Sequence, residues 1–399
     1  MSRVLYKNFD LIDVKSSRVI PDSYFIVEND IFIEVGRVNE LSDRINKCSF
    51  DVVEDLTGKT VMPGMFNIHI HCLSTPIGHP ANLNHESAAK FAIRGMVHLQ
   101  QHLKSGVTFV RDMNGRKLVE VELKQALKEG IFEGPDMYIC RQCLCMTGGH
   151  GWNLGRECDG VDDVMKAARE QIRGGADFIK IMATGGIMAD GEQPGQEQLT
   201  EAEIRAAVEA AHRAGKRTAS HAQGTQGIKN ALRAGIDSIE HGIMLDDEAI
   251  EMMLKNNTAY VPTLAAPYFI IKAGLEAGVP KFALDKAKAC REHHLRSFEK
   301  AMEAGVKIGL GTDAGTPYAL HSETYMELVL MVEAGMAPME AICTATRNSA
   351  EIVGVDRIMG TIDKGKKANF LVLDTSPLSD ISSLRDVRRV YKNGKLIYL

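Results

Sequence analysis

The sequence predicts an α/β fold: a (β/α)8, TIM-like barrel flanked by short strands at both ends of the chain. Three observations predict it. Short apolar segments alternate with helical stretches through the middle of the 399 residues, both ends read as short strands with turns, and several middle segments end in residues able to ligate a metal.

The amino-terminal part, residues 1–57, holds "VLYKNFDLID" and "SYFIVENDIFIEVG", rich in aromatic and β-branched residues with Pro, Asp and Asn between them. The carboxy-terminal part, residues 363–399, holds "ANFLVLD" and "VRRVYKNGKLIYL", in which Asn393-Gly394 marks a tight hairpin. Between them, residues 58–362 are expected to form the barrel. Its strands are read at "FNIHIH", "VTFVRDM", "DMYICRQ", "DFIKIMA", "RTASHA", "DSIEHG", "AYVPTL" and "KIGLGTD". Helices lie between them, as at 201–215 and 285–305.

Composition narrows the function. With 45% hydrophobic and 25% charged residues, the chain is ordinary globular protein. A net charge of −5 without a long basic run argues against nucleic acid or an anionic membrane as partner. The first residues, "MSRVLYKNFDLIDV", show no signal-peptide core, and no run of 18 apolar residues occurs, so a cytoplasmic location is expected. The eight cysteines form no spaced disulfide framework, and "CRQCLC" at 140–145 reads as buried thiols rather than a metal knuckle. The substrate is then a small molecule or short peptide, and a homo-oligomer is left open.

Polar residues at strand ends carry the chemistry. His69 and His71 in "NIHIHC" are two apart, so a strand points both rings one way. Lys180 lies inside the apolar "DFIKIMATGG", His221 ends the fifth strand, His241 the sixth and Asp313 the eighth. Taken singly, each histidine reads as a hydrogen-bonded structural residue and Asp313 as a helix cap. A lysine in an apolar strand is harder to dismiss, because burying an unpaired ammonium costs several kcal/mol. In a barrel all six converge at the C-terminal mouth, where active sites sit.

The set resembles the binuclear-metal branch of the amidohydrolase superfamily, over nearly the whole chain, and the resemblance implies that residues 1–57 and 363–399 form one composite β-sandwich domain beside the barrel. "VMPGMFNIHIHC" looks like its first-strand signature. "TGGHG", "AHRAGKRTASHAQG", "AGIDSIEHG", "GTDAG" and "GTIDKGKKANFLVLD" resemble the imidazolonepropionase-related metallopeptidases, prolidase-like dipeptidases and carboxypeptidases. The resemblance implies two divalent metal ions. His69, His71 and Asp313 would hold the more buried one, and His221 and His241 the more exposed one. A CO2-derived carbamate on Lys180 would bridge them. Zinc suits such ligands. Two such ions would acidify a bridging water to give the nucleophilic hydroxide, and Asp313 would move its proton to the leaving amine.

For His150, in "TGGHGW", the resemblance suggests contact with the substrate carbonyl or α-carboxylate; a solvated loop histidine is the alternative. Tyr268, in "APYFIIKAG", is a second candidate for that carboxylate. The loop "ADGEQPGQEQ" (189–198) reads as solvated, with contact to a cationic substrate through Glu192 or Glu197 as the alternative, and departs from the Ser-containing stretch of related peptidases. His293 and His294, on a charged helix, also read as solvated, and "GKT" at 58–60 lacks the first glycine of a P-loop. The implied activity is hydrolysis of dipeptides or N-acyl amino acids with release of a C-terminal amino acid. A binuclear site acting on a urea, carbamate or lactone is the near alternative. Mononuclear ring hydrolysis or deamination fits less well, because those relatives lack the bridging lysine. A catalytically dead scaffold would have lost ligands.

Overall fold

The computed structural model describes residues 3–41, 49–76 and 85–398. From the amino-terminal part come β1 (Arg3–Asp13), β2 (Arg18–Glu28), β3 (Ile31–Arg37), β4 (Val52–Asp55) and β5 (Thr60–Pro63).

The parallel strands follow. β6 (Met65–Ile70), β7 (Val107–Asp112) and β8 (Asp136–Ile139) form one group. The second comprises β9 (Leu144–Cys145), the short β10 (Arg156–Glu157), β11 (Phe178–Met182), β12 (Arg217–Ala222), β13 (Ser238–His241) and β14 (Ala259–Val261). Every residue of β6, β7 and β11 is buried, as parallel strands covered by helices require. The groups meet where Asp177 N donates to Ile139 O at 2.8 Å.

The expected eighth strand is not a continuous ladder. Ile308 bridges Tyr260 and Ala314 bridges Ile70, with no regular strand between. Its backbone nonetheless joins both neighbours: Gly309 N donates to Tyr260 O at 2.9 Å, and Ile68 N to Leu310 O at 2.8 Å. Glycine explains the close fit. A Cβ on Gly311 would stand 2.5 Å from the His69 Cβ, so only hydrogen allows this backbone to reach the first barrel strand.

β15 (Phe370–Leu373), β16 (Arg389–Lys392) and β17 (Lys395–Tyr398) complete the chain. They join the first strands in one mixed sheet, ordered β17-β16-β15-β5-β1-β2-β3, with β4 against β1. Asn393 (φ 51°) and Gly394 (φ 71°) make the two-residue turn that the sequence predicts. Tyr6, Phe25, Phe32, Phe370 and Tyr391 fill the core of this sheet, with the Phe370 and Tyr391 rings stacked 4.3 Å apart.

Helix Glu201–Arg213 starts with a capping box in which Thr200 and Glu203 serve each other's backbone. Helix Lys281–Glu303 begins earlier than the expected 285. Cys72, Cys140, Cys143, Cys145, Cys158, Cys290 and Cys343 are buried free thiols, as expected of the "CRQCLC" segment; Cys48 lies outside the described residues, as do Met1, Ser2 and Leu399. Among the described residues no helix is long and apolar enough to cross a membrane.

Candidate metal centre

The C-terminal ends of the barrel strands open into one cavity of about 370 Å³. His69, His71, Lys180, His221, His241 and Asp313 all line it. The six residues singled out in the sequence therefore meet in space, although His69 and Asp313 lie far apart along the chain.

Backbone twists at strand ends help aim them. His241 (φ 67°), Thr263 (φ 54°) and Asp313 (φ 58°) are non-glycine residues in the left-handed region, as is Arg141 (φ 64°) after β8. Such a residue is strained, and at His241, Thr263 and Asp313 the strained backbone carries a side chain that lines the cavity.

Hydrogen bonds then fix each ring. His69 Nδ1 lies 2.7 Å from Glu240 Oε2, so the other nitrogen, Nε2, is left for the cavity. His241 Nδ1 lies 2.8 Å from Thr263 Oγ1 and His221 Nε2 lies 3.2 Å from Gly185 O, each leaving one ring nitrogen over. The His221 and His241 ring centroids are 4.7 Å apart, and those of His69 and His241 4.9 Å. Burial holds His221 and His241 well below the usual imidazole range, and their charged neighbours push the same way. His69 is pushed down to about 4, by burial first and by Lys180 next. Neutral imidazole is the form that binds a metal.

The donor set fits divalent cations. Ligand atoms of His69, His71 and Asp313 lie within 4.8 Å of one another. Asp313 Oδ1 is 3.0 Å from His71 Nε2 and 3.4 Å from His69 Nε2, yet forms an aligned hydrogen bond with neither. Burial would raise the Asp313 carboxyl, but His69, His71 and Lys180 outweigh it and hold it well below the usual carboxylate range. Lys180 is 1% exposed and its Nζ has no hydrogen-bond partner. Burial pushes this amine below its ordinary value, although Glu240 and Asp313 pull against it. Converging imidazole and carboxylate acceptors around a buried amine without a partner are a donor set that suits divalent cations.

Behind these residues stands a layer that the sequence reading missed. Glu240 also accepts from Arg111 Nη2 at 2.8 Å and Ser238 Oγ at 2.6 Å, and Arg111 Nε donates to Ile68 O at 2.7 Å. A carboxylate and a guanidinium inside apolar strands were the available signal, the same one that marked Lys180.

His150 lines the cavity and is partly buried. Its ring stacks on His221 with centroids 4.2 Å apart. A Cβ on Gly186 would come within 2.3 Å of it, so glycine is needed beneath the ring. Glu192 is a correction. It is buried, not solvated: its carboxylate meets His150 Nδ1 and accepts from Gln198 Nε2 at 2.9 Å and Gly186 N at 3.1 Å. Glu197 is exposed, as expected, and accepts from Asn230 Nδ2.

Two further expectations fail. Tyr268 does not line this cavity; it borders a second one with Arg291, Glu299 and Glu333. On helix Ala265–Ala273, Pro267 and Ile270 share the cavity face and Tyr268 lies about 100° round from Pro267. His294 is buried and lines the cavity, its Nε2 2.8 Å from Pro262 O, while His293 is exposed as expected. Arg116, not singled out in the sequence, lines the cavity too; burial, then Arg94, pushes it down to about 10.

The sequence profile of the amidohydrolase family matches residues 60–397. The chain belongs to this family. This amidohydrolase is similar to ochratoxinase from Aspergillus niger, with 33% identity over 376 residues, 84% of this chain and 75% of that one. Among solved structures, a Xaa-Pro dipeptidase with bound methionine in its active site matches at TM-score 0.91 and 33% identity, over 100% of both chains. A prolidase complexed with N-methylphosphonate-L-proline matches at TM-score 0.91 and 29% identity, again over 100% of both. The amidohydrolase fold and a hydrolytic role follow.

Proposed function

We propose that the chain is a binuclear metal-dependent hydrolase that cleaves the amide bond of N-acyl amino acids or dipeptides and releases a C-terminal amino acid. One observation carries the binuclear reading: the Lys180 amine, buried and without a hydrogen-bond partner, in the cavity that His69, His71, His221, His241 and Asp313 line. Burial pushes this amine toward its free base, the form that can add to carbon dioxide, forming an N–C bond and releasing one proton. With the carbamate as a further oxygen donor, His69, His71, His221, His241 and Asp313 would hold the ions, zinc being well suited to imidazole and oxygen ligands. When bound, such ions supply Lewis acidity, acidifying water toward neutrality and polarising a carbonyl.

The chain's own residues do the rest. Asp313 accepts the proton of the attacking water and hands it to the leaving amine. His150, held by Glu192, offers its remaining nitrogen to the substrate carbonyl. Arg116 takes the place first expected for Tyr268, since a guanidinium on the cavity wall pairs with a free α-carboxylate. The relatives support this reading: one is a dipeptidase with methionine in its active site, another a prolidase with a phosphonate of L-proline.

The test is direct. Purified protein should carry two divalent ions per chain and hydrolyse an N-acyl amino acid but not its C-terminal amide. Equal kcat/KM for acid and amide would favour a general amidase, or a urea or lactone hydrolase.

A further inference from the structure

The walls of the cavity divide by chemistry. Loops after β6 and β7 contribute Ser74, Asn114 and Arg116. The facing elements contribute Ile187 and Met188 after β11, Ile243 after β13, Pro267 and Ile270 from helix Ala265–Ala273, and Phe282 from helix Lys281–Glu303. Ile187, Ile243 and Ile270 are buried in one apolar cluster, with Met188 and Phe282 packed against it and partly exposed. Among the described residues, the charged side chains lining the cavity, besides histidines, are Arg116, Lys180, Asp190 and Asp313. Lys180 and Asp313 belong to the catalytic floor, and Asp190 is exposed at the rim.

By chain order β7 is the second barrel strand and β13 the sixth, and in an eight-stranded barrel these two stand across from each other, Asn114 and Arg116 following the one and Ile243 the other. A substrate with its amide over the floor and its carboxylate at Arg116 sends its acyl group onto the apolar wall. An aryl or alkyl group gains by leaving water there. An α-ammonium is disfavoured where no buried carboxylate pairs with it.

We propose that this wall is an acyl subsite, which selects N-acyl amino acids with a bulky apolar acyl group over dipeptides bearing a free α-ammonium. The inference rests on the amide-hydrolase reading above and names its substrate class.

A matched pair tests it: 3-phenylpropanoyl-leucine and phenylalanyl-leucine, which differ only by the ammonium. N-acetyl-leucine serves as the small-acyl control. The first should exceed each of the others in kcat/KM by at least ~10-fold, the scale on which apolar pockets discriminate. Binding gives a second readout, because the sequence has one tryptophan, Trp152, and it lines the cavity. Its fluorescence should titrate at lower concentration with 3-phenylpropanoyl-leucine than with phenylalanyl-leucine. Met188→Asp, at a partly exposed position, should move the ratio toward phenylalanyl-leucine by roughly 10-fold. If all three compounds were cleaved alike, the hydrolase reading would stand and the subsite would fall. A preference for phenylalanyl-leucine would also overturn it, pointing to Asp190 as an ammonium contact. No turnover of any of them would overturn the amide-hydrolase reading and the subsite together.

Discussion

Glu240 stands directly behind His69, its Oε2 2.7 Å from Nδ1, with both side chains buried out of reach of water. The carboxylate therefore fixes which ring nitrogen faces the cavity. Glu240→Gln should keep the fold but weaken metal binding by roughly 10–100-fold, the usual effect of losing such a support. Chelator competition measures it; unchanged affinity would remove Glu240 from any role in ligation.

Lys180 offers the sharpest test of the two-ion reading. Lys180→Ala should abolish turnover and lower the metal content per chain. Added short carboxylates should restore part of the rate by occupying the vacated anionic position. A variant with full activity and two ions would leave the lysine structural.

Asp313 is placed to act on protons more than on affinity. Asp313→Asn should lower kcat by at least ~100-fold, within the range typical of general acid–base groups. Near-normal kcat with only a raised KM would shift the proton role elsewhere, with His150 next in line.

Glu192 acts through another residue. With its carboxylate on His150 Nδ1, Glu192→Gln should preserve folding and alter kcat more than KM, and Glu192→Ala should be worse than Gln. If Ala and Gln variants matched the parent in both parameters, the pair would be only a loop tether.

Glu120 predicts a pH effect on stability. Neither carboxylate oxygen has a hydrogen-bond partner, and burial pushes the group from its ordinary 4.5 up to about 8. Between those values the folded chain keeps a proton that the unfolded chain has lost. Its contribution is therefore full below about pH 4.5 and declines as pH rises toward 8. Glu120→Gln should flatten this decline, worth on the order of 4 kcal/mol. Denaturant midpoints of parent and variant at pH 5 and pH 8 test it; a constant difference between the two proteins would refute it.

Much of the site was legible because the barrel turns position along a strand into position in space. Six residues at strand ends needed only the alternation of elements to be brought together. Glu192 was hidden for the opposite reason: "ADGEQPGQEQ" has the composition of a solvated loop, and nothing local says that it folds back under His150. His294 could have been found. Ala283, Ala287, Cys290, His294, Ser297 and Ala301 form a buried stripe at helical spacing, and His293 lies one step off it. Tyr268 failed by the same arithmetic, since the cavity face of its helix was set by Pro267 and Ile270. The eighth strand was located by its sequence, but its glycines bring it against His69 without a regular ladder.

The left-handed residues at the strand ends set a conflict for any attempt to make this protein hardier. Arg141, His241, Thr263 and Asp313 each hold a backbone shape that glycine adopts more easily, at about 1 kcal/mol per residue. Part of that relief would be offset by the freer unfolded chain. Thr263→Gly would remove the hydroxyl that steadies His241, and glycine at 241 or 313 would remove a proposed ligand outright. Selection for heat resistance and selection for turnover thus pull on the same few positions in opposite directions. Gains in endurance should come from the outer helices and the terminal sheet, where no such tension exists.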